Sequence, residues 1–407
     1  MNAQSGDVAL GFIARGPLSR GSLTRGLLAL CATAALIACG GGSGGGSIGS
    51  ASAPVSAKFV DKTLQAAKLA ATRGQPVSPG DDKGVQPEKP GAAKYGLAIN
   101  LGTLGGAFSL AYAVNANGDV VGTAALASGE EHAFLWRNGT MTDLGTLGGA
   151  GSVAYGINAA SDVVGYSFTA LGEQHAFLWH GGVMQDLGHL GGGNSIARGI
   201  NDAGQITGTS AIASGELRAF VWENGTMTDL GTLGGSVSFG RAISNSGQVV
   251  GGAVNNFDLE YAFSYQGGVM SSLGTPPGGT FSEAAAVNGA GKIAGIMDGP
   301  GGQLRAFVFS SGAYTDLSSA FNGDYSEASG ISGDGLVVGT RITQDGLAIG
   351  YYWDATGSPT SLNNRIPGSR SNQSLALGVN GDGDIVGGAQ FENHGSEIHA
   401  FLLKRVR

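Results

Sequence analysis

Residues 143–185 read DLGTLGGAGSVAYGINAASDVVGYSFTALGEQHAFLWHGGVMQ. Four extended segments can be marked along them, at 153–157, 162–167, 175–179 and 183–187. Their β-branched and aromatic residues suit a pleated, half-buried surface. Gly181-Gly182 separates the third segment from the fourth, and other copies place Asn138-Gly139 and Asn224-Gly225 there. A two-residue type I′ hairpin needs φ > 0 at both central positions, which these pairs supply. Between the first and second segments most copies set Asn or Ser three residues before Gly, as in Asn115/Gly118 and Asn201/Gly204. That is type I turn chemistry. Turns at this density, without helical periodicity, describe a four-stranded antiparallel sheet.

The unit recurs from Tyr95 onward. Its marker leucine falls at Leu101, Leu144, Leu187, Leu230, Leu273, Leu317 and Leu362, at spacings of 43, 43, 43, 43, 44 and 45 residues. A period of about 40–45 residues is that of a propeller blade. The first recognisable piece, 95–103, matches the fourth strand of the unit, and the last, 398–406, matches the third. The expected fold is therefore all-β, a seven-bladed β-propeller of 28 strands. An N-terminal strand would complete the C-terminal blade and remove a weak seam.

The chain has 407 residues with 76 glycines, 42% hydrophobic and 13% charged. Glycine is not periodic at three, which excludes collagen, and regular hydrophobic recurrence excludes a disordered chain. With 22 basic against 30 acidic side chains, nucleic acid is not an expected partner. Arg15, Arg20 and Arg25 precede an apolar stretch at 27–38, too short to span a membrane and shaped like a secretory signal. The four residues Leu36-Ile37-Ala38-Cys39 resemble the lipobox of bacterial lipoproteins. That resemblance implies cleavage before Cys39 and acylation of its sulfur and amino group. The absence of Asp directly after Cys39 then points to an outer-membrane or cell-surface destination. The only other cysteine, Cys31, lies in the removed segment, so the mature chain is expected to hold no disulfide. The expected organisation is a signal peptide at 1–38, a Gly/Ser tether with a short helical stretch at 56–73 and a Pro-rich linker over 39–94, and the propeller at 95–407.

The strings Asp143-Leu-Gly-Thr-Leu-Gly-Gly149 and His132-Ala-Phe-Leu-Trp136 resemble the HAF repeat family of extracellular bacterial proteins. The match covers 99–403 and is strongest in the first three copies. Arg305-Ala-Phe, Gly350-Tyr-Tyr and Pro276-Pro277 depart from the pattern. The resemblance implies export and repetition, and no particular chemistry.

Candidate chemical motifs are weak. Gly-x-Ser-x-Gly and Gly-x-Gly-x-x-Gly occur only within the tether, without a strand before or a helix after. Asn380-Gly-Asp-Gly-Asp384 lacks the sixth-position Gly and twelfth-position Glu of a calcium loop. His132, His175 and His399 open the third strand of blades one, two and seven. Packed sheets stand about 10 Å apart, so residues at equivalent positions should not converge on one metal. No metal, cofactor or catalytic residue is read from the sequence. A serine recurs at Ser109, Ser152, Ser195, Ser238, Ser282, Ser326 and Ser374, where it would form a structural ring around the upper channel and satisfy N–H groups of the preceding Gly-rich loop. Glycine recurs inside the second strand at Gly122, Gly165, Gly208, Gly251, Gly295, Gly339 and Gly387, a mark of close backbone approach. Phe134, Phe177 and the four tryptophans are expected between blades; exposed tryptophans would instead suggest sugar stacking.

Recognition is expected on the face that carries the second-to-third and fourth-to-first connections, because the opposite face offers tight turns of Asn and Gly. Glu131, Glu173, Glu216, Asp258, Glu260, Asp345 and Glu392 would form an acidic rim there. Within 95–407 there are 12 basic and 25 acidic side chains, which favours a cationic or polar partner over an anionic one. The reading is an exported, lipid-anchored monomer, touching the membrane through its anchor only, that binds or scaffolds an envelope protein or polar ligand. A lyase or hydrolase acting on polysaccharide or a small molecule is the alternative.

Overall fold

The computed structural model describes residues 94–344, 346–368 and 373–406, and these form a seven-bladed β-propeller of four-stranded antiparallel blades. The signal segment, Cys39, the tether, the 56–73 stretch and Asp345 lie outside the described residues. Blade one comprises Gly105–Val114, Val120–Leu126, Glu131–Arg137 and Thr140–Asp143, from the channel outward. Blade two repeats it with Gly148–Ile157, Val163–Thr169, Gln174–His180 and Val183–Asp186. Blade seven takes Ser374–Val379, Ile385–Gln390 and Ile398–Leu403 from the C-terminus, and Ile99–Asn100 from the N-terminus as its fourth strand. The ring closes through Ile99↔Leu402 and Asn100↔Phe401, continued by the Leu101 N–H donating to the Ala400 carbonyl at 2.9 Å.

Two boundaries differ from the sequence expectation. The 95–103 piece is not one strand: Ala98 N–H donates to Arg365 O at 2.8 Å, and upstream of this step Lys94–Tyr95 pairs separately with Arg405–Val406. Tyr95 is buried there and its hydroxyl donates to Gly383 O at 2.8 Å. In blades one to four the Gly-Gly of the loop motif already belongs to the first strand, because Gly148 pairs with Thr169 across a bulge before Ser152 pairs with Ser167. The loop of the sequence is the outer end of the inner strand.

Turn chemistry is as the residues require. Asn138-Gly139 has φ of 50° and 87°, and Gly181-Gly182 has 59° and 92°, the left-handed pair of a type I′ hairpin. The asparagine of the other turn is used twice. Asn115 Oδ1 accepts the N–H groups of Asn117 and Asp119, while its Nδ2 donates to Asn158 O in the next blade at 3.1 Å. Asn380 makes the same bond to Asn115 O at 3.0 Å, across the join. Blade two has Ser161 where other turns have Gly; its φ of 66° is offset by donation from its hydroxyl to Asp119 Oδ2 at 2.7 Å.

The core lies between blades. Phe134, Phe177, Phe220, Phe263, Phe307 and Phe401 are fully buried, and each apolar cluster joins residues of neighbouring blades, as Val121, Ala133 and Leu144 join Ala154, Val163 and Phe177. Close backbone approach at the second-strand glycines has a definite cause. The first strand bulges in every blade, between Ala154 and Gly156 in blade two, and brings Val153 O to 1.9 Å from where a Gly165 Cβ would stand.

Buried Asp119 receives Arg137 Nε at 3.0 Å and Nη2 at 2.6 Å. Burial pushes the carboxyl up, but hydrogen bonds from Arg137 and Ser161 outweigh it and hold Asp119 below its ordinary 3.8. A depressed carboxyl stabilises the fold above its unfolded value, and that stabilisation is lost as pH falls through the folded value. The urea midpoint should therefore drop on acidification from about pH 7 to about pH 3, and Asp119→Asn should flatten that dependence. An unchanged slope in the variant would remove Asp119 from the account.

Candidate functional site

The recurrent serines are fully buried, at 0–1% exposure, and their hydroxyls do not line the channel. Each accepts an N–H from the third strand of the preceding blade. Ser152 takes Ala133 N–H at 2.9 Å, Ser195 takes Ala176 at 2.9 Å, and Ser109 takes Ala400 across the join at 2.8 Å. Ala133 lies one residue beyond the Phe134↔Asp143 pair, where the fourth strand ends and its N–H would otherwise lack a partner. Each hydroxyl in blades one to five also donates to a loop glycine carbonyl, as Ser152 does to Gly145 O at 2.6 Å. In Ser326 and Ser374 the second partners are Ser318 Oγ and Asn363 Oδ1. The expected loop N–H donors are thus replaced by strand N–H groups of the neighbouring blade. Ser152→Ala should cost about 1–3 kcal/mol, because it strands a buried donor; chemical denaturation measures it, and a neutral result would count against the stitch.

The channel carries two arginines that are held by neighbouring side chains. At its tight-turn end a space of about 260 Å³ is lined by first-strand residues of all seven blades, among them Tyr112, Arg198, Arg241 and Leu377. Arg241 Nε donates to Glu283 Oε1 at 2.6 Å, and Arg198 stands over the Tyr155 ring at 4.1 Å.

On the long-loop face the acidic residues stand on successive blades rather than converging. Glu216 is paired with Arg218 Nη2 at 2.8 Å, and Glu173 lies 3.6 Å from His175 Nε2. Glu131 and Glu260 are half-buried, whereas Asp258 and Glu392 are exposed. Phe257 beside Asp258 is 81% exposed and Leu171 of blade two 86%, so the face mixes charge with isolated apolar tips. Trp136 and Trp179 are half-buried, Trp222 is buried, and Trp353 is fully buried with Nε1–H donating to Leu317 O at 2.9 Å. They are packing residues.

The histidines that open third strands do not share a site. His132 Nδ1 meets Asp143 at 2.9 Å and His175 Nδ1 meets Asp186 at 2.7 Å, each within its own blade. Arg305 and Asp316 hold the equivalent positions in blade five at 2.8 Å. Blade seven departs from this. Its fourth strand supplies Asn100 instead of Asp, and His399 Nδ1 faces the Asn100 amide at 3.1–3.3 Å. His399 Nε2 faces Glu397 Oε2 at 3.3 Å, and the His394 ring lies 4.3 Å from that of His399. Burial pushes His399 below its usual value, His394 adds to this, and Glu397 opposes both. A comparison of histidines across blades does not reveal His394-x-x-Glu397-x-His399, which runs from one connection into the strand that follows it.

Between blades seven and one, carboxylates of the long-loop face meet a groove. The groove, of about 870 Å³, runs between Gly105–Phe108, Ala125–Ala127 and Glu131 of blade one and Ser396–Ile398 of blade seven. Glu131 and Glu397 both line it.

No family model matches the chain, and no curated protein matches it. Among solved structures, the β-propeller domain of the Trilobed protease from Pyrococcus furiosus superposes with a TM-score of 0.51 at 10% identity, over 77% of this chain and 96% of that one. That domain is described as having an open velcro topology, whereas the present ring is closed by Ile99–Asn100. The BP39L lectin from Burkholderia pseudomallei gives 0.45 at 13% identity, over 76% and 94%. TolB from Acinetobacter baumannii gives 0.44 at 13% identity over 62% of this chain, which spans 63% of TolB. The likeness to the Pyrococcus furiosus domain is one of fold, and it agrees with the blade count in making this chain a β-propeller.

Proposed function

We propose that the chain is an exported, lipid-anchored β-propeller that acts as a binding or scaffold module at the cell envelope. Its long-loop face would engage a polar or cationic partner. The observation that carries this reading is the groove between blades seven and one, which sets Glu131 and Glu397 on a rigid ring whose opposite face repeats Asn- or Ser-based tight turns. Excess negative charge within 95–407 supports the choice of partner. The lipobox resemblance supports the anchor, since stable membrane attachment needs two or more acyl chains on Cys39.

The full chain should capture a partner from envelope extract, with capture weakened by salt. Changing Glu131, Asp258 and Glu392 together to Ala should abolish most of it. Capture that survives these changes but fails after substitutions in the tight turns would move recognition to the other face. For the anchor, Cys39→Ser should shift the protein from the membrane pellet to the soluble fraction with the same circular dichroism spectrum. Sedimentation equal to that of the parent would exclude lipid attachment.

A further inference from the structure

We propose that His394, Glu397 and His399 form a binding site for a divalent transition-metal ion of the zinc class. The site goes beyond the binding-module reading and does not depend on it. It arises where the repeat pattern is broken. The second-to-third connection has four residues in blades one to four and five in blades five and six, but seven, 391–397, in blade seven. This loop is built rather than slack. Phe391 is buried under it, Glu392–His394 makes a 3-10 turn, and the N–H groups of His394 and Glu397 donate to Phe391 O and His394 O at 3.0 and 3.1 Å. Gln390 Nε2 ties its far side to Ser396 O at 3.2 Å. The fold-back brings one ligand atom from each of the three side chains within 4.8 Å of the others.

Donors bound to one tetrahedral zinc at about 2.0–2.2 Å stand about 3.3–3.5 Å apart, so small side-chain rotations suffice to close the set. His399 is already oriented. Its Nδ1 is engaged by Asn100, which leaves Nε2 toward Glu397, the arrangement in which an outer partner aims a ligand imidazole. In blades one and two the corresponding Nδ1 is held by a carboxylate, and no second histidine joins Glu173 or Glu131 in a cluster of this kind among the described residues. Two imidazoles with one carboxylate suit Zn²⁺ or its neighbours better than Ca²⁺ or Mg²⁺, which prefer oxygen donors. Three protein ligands leave a coordination position for water or a ligand group, and Glu397 places the ion at the edge of the groove. Because Asn100 comes from the closing N-terminal strand, the ion would also be linked to ring closure.

The test uses the full chain without an affinity tag, titrated with Zn²⁺ against a chromophoric chelator and with Co²⁺ by visible absorption. One equivalent should bind with a tetrahedral or five-coordinate Co²⁺ spectrum. The double variant H394A/E397Q, altered only in the connecting loop, should lose binding by more than about 100-fold, and Asn100→Ala should weaken it by about 10–100-fold. Replacing His180 and His189 by Ala should change nothing, since neither belongs to the cluster. Circular dichroism melts verify that each variant is folded. The proposal is overturned if the parent binds no stoichiometric Zn²⁺, if H394A/E397Q binds it equally well, or if the His180/His189 variant is the one that loses it.

Discussion

Deleting residues 94–103 should open blade seven and turn a cooperative unfolding transition into a broad one or into aggregation. The deletion removes the fourth strand Ile99–Asn100 and the Lys94–Tyr95 ribbon, and with them the buried Tyr95 and Leu101. Each such large side chain contributes about 1.5–3 kcal/mol by burial, so the loss should be on the order of 5 kcal/mol once the hydrogen bonds are included. The exposed donors and acceptors of Ile398–Leu403 would then offer an edge for pairing between molecules. Urea titration and size-exclusion chromatography read the two effects. Truncating 40–54 serves as the comparison and should leave the transition where it was. A chain lacking 94–103 that unfolds like the parent would mean that the join carries little of the stability.

Gly165→Ala should destabilise the propeller by about 3 kcal/mol or more, at or beyond the upper end of ordinary overpacking. The added methyl would stand 1.9 Å from Val153 O and 2.9 Å from Ala154 Cα, and both obstacles are backbone. Relief would require flattening the bulge between Ala154 and Gly156, which holds the inner strand's register. Gly289→Ala, where nothing stands within 4 Å of the new methyl, should be close to neutral. Equal urea midpoints for the two variants would refute the close-approach explanation, and the same contrast should hold at Gly122 and Gly387, whose obstacles stand at 1.8 Å.

Much of this architecture was legible because it rests on short-range chemistry. Gly181-Gly182 lies between two extended segments at hairpin spacing, and both residues hold positive φ at no steric cost. The spacing of Leu144, Leu187 and Leu230 counts blades, and the phase mismatch between the two ends implies their join. The second-strand glycines announced a close contact, although the bulge that causes it left no mark of its own. The acidic rim was visible as composition only. Its division into Glu216 paired with Arg218, Asp258 in the open, and Glu131 facing Glu397 across a groove depends on side-chain reach and on which blades adjoin.

The sequence by itself determined the all-β class, the number of blades and the N-to-C closure of the ring, because turn preference and strand length act over a few residues and repeat covalently. Only the tertiary structure decided who meets whom across the seams. Ser109 and Ala400 are 291 residues apart, and Asn380 and Asn115 are 265 apart. Their contacts follow from the curvature that seven packed blades impose, and no local preference encodes it. The same holds for His394 beside His399. Five residues apart in the chain, they meet because the loop folds back over a buried Phe391 and because Asn100 arrives from the far end of the chain to hold the ring nitrogen.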